Sequence, residues 1–312
     1  MYIGPVFLMK VLTVDKTLRF CHDLLQGEDT MKIANDGVLS TIISLLPHFV
    51  IAGRLACRVQ DDIIASGNRN IDTKPGDRFT EALTDADIIV ETHLGTVILA
   101  NIEDATFYGE EHERDRVSNY FPKSAPYLIT LDPIDGTRYF EDGLPIFSII
   151  LTICTENRIV GSVVYVPRKE TFYIAAEKSG AFTTTAADVA RRDWLTPYTA
   201  PSRAPVVVIY KNDLHLEPPL RAEGFDVVNQ HRDYDGSLTW RRTNLGLFTG
   251  EVVGKIISNA QLIDAAAMAY IIGQAGGATS STAFDPETKR VPGYLVVGVT
   301  PGIYKKLAQI VE

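Results

Sequence analysis

Basic residues are in deficit: 30 Lys and Arg face 39 Asp and Glu, a formal net charge of −9. A phosphate-backbone partner needs clustered Lys and Arg, so the balance argues against nucleic acid. Cysteine is scarce too. Cys21, Cys57 and Cys154 are odd in number, far apart and set in apolar contexts, which predicts reduced core thiols rather than a disulfide frame or a zinc site. The six histidines show no HxH or HExxH spacing. No apolar run approaches the about 20 residues of a spanning helix. The opening MYIGPVFLMK lacks both a preceding basic region and a small-residue cleavage site. Together these absences predict a cytoplasmic protein with no membrane partner.

What is present divides the chain into three. Residues 1–38 have no clear period beyond a helix over residues 11–25 and read as an extension. Residues 39–190 form an α+β unit. From Ser40 to Ser66 apolar residues recur at helical spacing, with Pro47 near the first turn and Gly67-Asn68 as the stop. A second helix, capped by Thr84 or Asp85, runs to about Ala100 and puts Asp87 in its first turn. The strands ATFYG and YLITLD end at Glu110-Glu111 and at Asp132, and FSIILTICT, RIVGSVVYV and TFYIAA form an antiparallel meander. In residues 191–312 the strands VVVIY, FDVV, VVGKII and YLVVGV alternate with helical stretches at 214–223, 237–249, 264–275 and 301–311, an α/β pattern.

The turn LDPIDGTR places Asp132 and Asp135 three residues apart. Carboxylates that close are tolerable if one is protonated or if a cation lies between them. The run favours the cation: Asp132, the Ile134 carbonyl and Asp135 offer hard oxygen ligands suited to Mg²⁺, and Pro133 restricts the backbone. Gly136-Thr137 would then open a helical turn whose N–H groups face a phosphate. Each acidic motif also has an ordinary reading. DPIDGT serves as a surface turn, Glu110 and Glu111 as solvated loop charges, and Asp264 as the N-cap of an apolar helix.

Taken in order, TDAD (84–87), GEE (109–111), DPIDGT (132–137) and DAAAMAYIIGQAGG (264–277) resemble the four motifs of the inositol monophosphatase family of Mg²⁺-dependent, lithium-sensitive phosphatases. The resemblance covers roughly residues 45–312 and implies a layered αβαβα sandwich and a homodimer. It implies two or three Mg²⁺ ions. Glu110, Asp132 and the Ile134 carbonyl correspond to one site, Asp132, Asp135 and Asp264 to a second, and Asp87 to an acidic position acting through water or a third ion. In the family, ions about 4 Å apart activate a water and stabilise the leaving oxygen. Glu110 and Thr137 correspond to the groups that deprotonate and orient that water, and Asp135, Gly136, Thr137, Ser237 and Asp264 to those that meet the substrate.

The implied activity is hydrolysis of a small phosphorylated alcohol. The alternatives are another family substrate (histidinol phosphate, a sugar bisphosphate or 3′-phosphoadenosine 5′-phosphate), or a binding module that has lost catalysis. Three departures bear on this. Ile263 precedes the last Asp where an aromatic is usual, and His112 follows the two glutamates. Ile257 stands where inositol phosphatases carry a substrate-binding glutamate, which predicts a weak preference for polyols. Arg138 resembles an arginine of histidinol-phosphate phosphatases, with a plain surface charge as its other reading. Lys211, Asp233, Asp235, Ser237 and Arg241 are the polar candidates around the alcohol.

Overall fold

The computed structural model describes residues 31–66, 72–73, 82–83, 85–111, 116–191, 195–236, 243–281 and 283–312. The expected helix over 11–25, Cys21, Thr84, His112, Ser237 and Arg241 lie outside the described residues.

Helix α1, Val38–Ser66, starts two residues before Ser40, so Pro47 falls in its interior rather than its first turn. An interior proline costs about 3 kcal/mol. Burial of Ile42, Leu45, Leu46, Phe49, Ala52 and Ala56 along one stripe outweighs this, since each large apolar side chain contributes about 1.5–3 kcal/mol. The helix is also long and apolar enough by length and composition to cross a membrane, contrary to the expectation that no run reaches that length. Here its apolar stripe packs inside the molecule, beside helix α2, Asp85–Asn101.

The strands β1 (Ala105–Gly109), β2 (Tyr127–Asp135), β3 (Ser148–Thr155), β4 (Arg158–Val166), β5 (Thr171–Ala176), β6 (Gly180–Thr185) and β7 (Thr196–Pro197) lie side by side in chain order. The first pair is parallel and the rest antiparallel. A five-residue helix α3, Thr137–Glu141, joins β2 to β3. The meander thus continues beyond the three expected strands into GAFTTT, whose few large apolar residues gave no strand pattern. Its last strand lies just past residue 190.

A second sheet is built from β8 (Val206–Ile209), β9 (Asp226–Asn229), β10 (Gly254–Ser258), β11 (Ala278–Thr279) and β12 (Tyr294–Gly298), in the order β9-β8-β10-β12-β11. Helices α4 (Glu217–Ala222), α5 (Ala267–Gln274) and α6 (Pro301–Val311) accompany it. Of the helix expected over 237–249, the described residues contain Gly246–Thr249.

Three apolar cores set the layers. One joins α1 and α2 to a face of the first sheet, the second joins the opposite face, α5 and the second sheet, and the third lies between the second sheet and α4 and α6. The architecture is the expected αβαβα sandwich. In sequence the apolar β3 and β4 are open to two readings, a surface buried by a second copy or one covered by a helix layer, and here they offer no apolar face to a second copy. Ile149, Leu151, Ile153 and Val163 pack in the first core and Ile150, Cys154 and Val164 in the second, so this chain covers both faces.

Candidate active site

Strand β2 carries the centre of the site. It pairs with β3 as far as Asp132 opposite Ile150, then the register shifts before Asp135 meets Ser148. Pro133 has no N–H for a ladder and sits in that irregularity. The strand therefore runs on through Asp135 instead of stopping at Asp132. Within it the Ile134 N–H donates to Asp132 Oδ1 at 3.0 Å. Gly136 then takes φ +86°, a left-handed conformation that glycine adopts without strain, and starts α3.

Glu110 follows β1, and its N–H donates to the Leu131 carbonyl at 3.0 Å, which ties the turn to β2. From below, Glu91 of α2 accepts the Glu111 N–H on Oε2 at 2.9 Å. Glu91 is fully buried, and a Cβ on Gly109 would lie 2.2 Å from its carboxyl carbon. A larger residue at Gly109 would force that carboxylate or the turn to shift. Asp264 lies within a wide turn, Leu262–Ala266, that leads into α5. It is not the N-cap its sequence context suggested; it accepts the N–H of Ala265 from inside the first turn.

These elements bring Glu110, Asp132, Ile134, Asp135, Gly136, Thr137 and Asp264 onto the wall of one cavity of about 120 Å³. Asp87, by contrast, is buried in the first turn of α2 and does not line that cavity. Lys211, Asp233 and Asp235 do not line it either, and Asp233 is engaged with Arg232 and the Asn229 N–H. Arg138 does line it, but is no plain surface charge: its guanidinium pairs with Glu141 at 3.3 Å and Asp142 at 3.0 Å. Ile257 is buried in the core between the sheets and offers no acceptor.

The carboxylates act on one another. Burial pushes Asp132 well above the ordinary carboxylate range, and Glu110, Asp135 and Asp264 add to the shift. Asp135 is pushed up to about 7 by burial and by Asp264, against a hydrogen bond from Ser148 Oγ at 2.9 Å. Asp264 is raised by burial. Such a set is stable with protons on some members or with a cation among them. Among the described residues, no three His, Cys, Asp or Glu side chains are gathered closely enough to enclose a metal ion. The donor set of carboxylates plus the Ile134 carbonyl is the hard-oxygen chemistry that suits Mg²⁺.

Sequence reasoning missed several cavity residues. Tyr210, Gln230 and Asn244 line the cavity too, and Lys255 of β10 lies behind them, 2% exposed. Burial pushes Lys255 down to about 8, against the pull of Asp264 and Asp135. A charged residue inside the apolar strand VVGKII was the available signal.

A sequence model of the inositol monophosphatase family matches residues 51–312. An inositol monophosphatase of Dictyostelium discoideum is 28% identical over 102 residues, 33% of this chain and 36% of that protein. The chloroplastic bifunctional phosphatase IMPL2 of Arabidopsis thaliana is 26% identical over 141 residues, 45% of this chain and 39% of that one. The matched segments thus span little more than a third of these relatives. The crystal structure of the extragenic suppressor protein suhB from Bartonella henselae superposes with a TM-score of 0.65 at 20% identity, covering 88% of this chain and 99% of that one.

Proposed function

The chain belongs to the inositol monophosphatase family, and on that premise we propose that it is a Mg²⁺-dependent phosphomonoesterase acting on a small phosphorylated alcohol. The observation that carries this reading is the convergence of Glu110, Asp132, Asp135 and Asp264 from three separate segments on one cavity. A binding module without catalysis would have no physical reason to hold repelling carboxylates together.

Glu110, Asp132, Asp135, Asp264 and the Ile134 carbonyl would hold the cation, which when bound acidifies water and neutralises charge on the departing oxygen. The remaining work falls to the chain. Thr137 donates its hydroxyl proton to the Ile134 carbonyl at 2.9 Å, so its lone pairs are left to accept from a water and orient it. Glu110, on the wall of the same cavity, takes up that water's proton. At the head of α3 the N–H groups of Tyr139 and Phe140 donate to the Gly136 carbonyl, which leaves those of Thr137 and Arg138 to meet the phosphate oxygens. Asp87, away from the cavity wall, acts at a distance, and Ser237, outside the described residues, is kept as a candidate for contact with the alcohol.

Ile257 removes an acceptor for hydroxyls, so inositol 1-phosphate is accepted without strong preference. Histidinol phosphate is disfavoured as the dedicated substrate, because Arg138 is already paired with two carboxylates. A homodimer, in the cytoplasm, would have to use a surface other than β3 and β4. The test is hydrolysis of p-nitrophenyl phosphate. Activity should vanish in excess chelator, return with Mg²⁺, return little with Ca²⁺ and fall with lithium. Full activity in chelator would remove the reading.

A further inference from the structure

Strand β10 alternates its faces, as any strand does. Ile256 packs into the outer core under α4 and α6, while Lys255 and Ile257 share the other face, which looks toward the cavity. Lys255 is thus a buried cation directly behind the site wall. Its Nζ donates to Gln230 Oε1 at 3.2 Å and to Asn244 Oδ1, and stands 5.2 Å from the centre of the Tyr210 ring. All three partners line the cavity.

An ammonium carries donors and no acceptor. Any carboxamide beside it must turn its oxygen inward, and its NH₂ group then points the other way. Lys255 holds both amide oxygens at once, which leaves the NH₂ groups of Gln230 and Asn244 as the donors these two residues can offer the cavity they line. On the same face of the strand Ile257 is apolar and offers no acceptor. From this we propose that Lys255, acting through Gln230 and Asn244, makes this wall a donor surface. It selects a phosphorylated alcohol bearing a second acidic group, a carboxylate or a second phosphate, over a neutral polyol phosphate.

Lys255 is a positioning residue in this scheme. The charge opposite an incoming anion is its own, passed on through two polarised amides. The acidic end of the site, Asp135 and Asp264, is reserved for the phosphate and its cation. The proposal rests on the phosphatase reading above and narrows its substrate.

The experiment compares matched substrates. Glycerol 3-phosphate and 3-phosphoglycerate differ by a hydroxymethyl against a carboxylate; fructose 1-phosphate and fructose 1,6-bisphosphate differ by a second phosphate. In the wild-type protein with Mg²⁺, the acidic member of at least one pair should have a kcat/KM higher by about tenfold or more, mainly through KM, the effect of one charge-assisted hydrogen bond. The favoured pair identifies the group. In Lys255→Met that ratio should fall toward one as KM for the acidic member rises. A lysine that merely balances Asp135 and Asp264 would lower both members together and leave the ratio intact. Equal or better use of the neutral member in both pairs overturns the proposal without any variant, and so does a ratio that survives Lys255→Met. No hydrolysis of these substrates or of p-nitrophenyl phosphate would instead remove the phosphatase reading, and this proposal with it.

Discussion

The contact between Gly109 and Glu91 invites a direct test of how the Glu110 turn is held. In Gly109→Ala the added Cβ would lie 2.2 Å from the Glu91 carboxyl carbon and Oε1 and 2.4 Å from Oε2. No real Cβ tolerates that distance, so Glu91 or the turn must move. Overpacking of this kind costs about 1–3 kcal/mol. If Glu91 moves, its bond to the Glu111 N–H is lost as well, and a hydrogen bond to a charged group is worth about 1.5–3 kcal/mol. The variant should therefore lose about 1–3 kcal/mol if the turn gives way and about 2.5–6 kcal/mol if Glu91 does, a Tm drop of several degrees in a chain of this size. Turnover should fall further than stability explains, because Glu110 is the next residue. A double-mutant cycle isolates the contact: with Glu91→Ala in the background, the clash is gone and Gly109→Ala should cost at least about 1 kcal/mol less. Thermal melts and kcat on p-nitrophenyl phosphate read both quantities. Additive losses, or a Gly109→Ala protein with wild-type Tm and turnover, would refute the reasoning.

Two other outcomes follow from the carboxylates. Asp132 and Asp135 have folded-state pKa values raised above their unfolded ones, Asp135 to about 7. The folded protein therefore binds more protons than the unfolded chain between about pH 4 and 7, and in chelator its stability should fall as pH rises through that window. Melts at pH 5 and pH 8 with and without Mg²⁺ check the sign, and the metal should recover the loss at pH 8. Asp135→Asn or Asp264→Asn should lower turnover by at least about a hundredfold with the fold retained, seen in steady-state rates and circular dichroism. Near-normal turnover would exclude the substituted residue as a ligand.

Much of the site was legible because its acidic residues lie in short motifs at strand ends, where a few neighbours in sequence fix the geometry. DPIDGT encodes its own bend through Pro133 and Gly136, and Asp264 sits at the head of a helix whose apolar run is plain. Residues supplied by distant pairing were not legible. Tyr210, Gln230 and Asn244 reach the cavity because β8, β9 and β10 pair in parallel, with Ile209 beside Asn229 and Ile256. No local pattern announces that register. Gly109 and Glu91 are 18 residues apart and meet only when α2 packs on β1. What covers β3 and β4 was not legible for the same reason: an apolar strand reads identically whether a second copy or its own chain covers it.

Lys255 links the two ends of the cavity. A buried ammonium is costly to desolvate, and it persists here because amide oxygens accept from it while Asp264, and to a lesser extent Asp135, favour its charge. Those same carboxylates repel each other. Removing charge from Asp264 thus has two opposed effects in the metal-free protein, since it relieves Asp135 and Asp132 but withdraws the larger share of the field supporting Lys255. Asp135→Asn withdraws the smaller share. In chelator, melts should therefore show a smaller stabilisation for Asp264→Asn than for Asp135→Asn, and the reverse order would refute this role of the lysine. The wall that discriminates substrates and the carboxylates that hold the cation are in this sense one electrostatic unit, so the position of Lys255 constrains both.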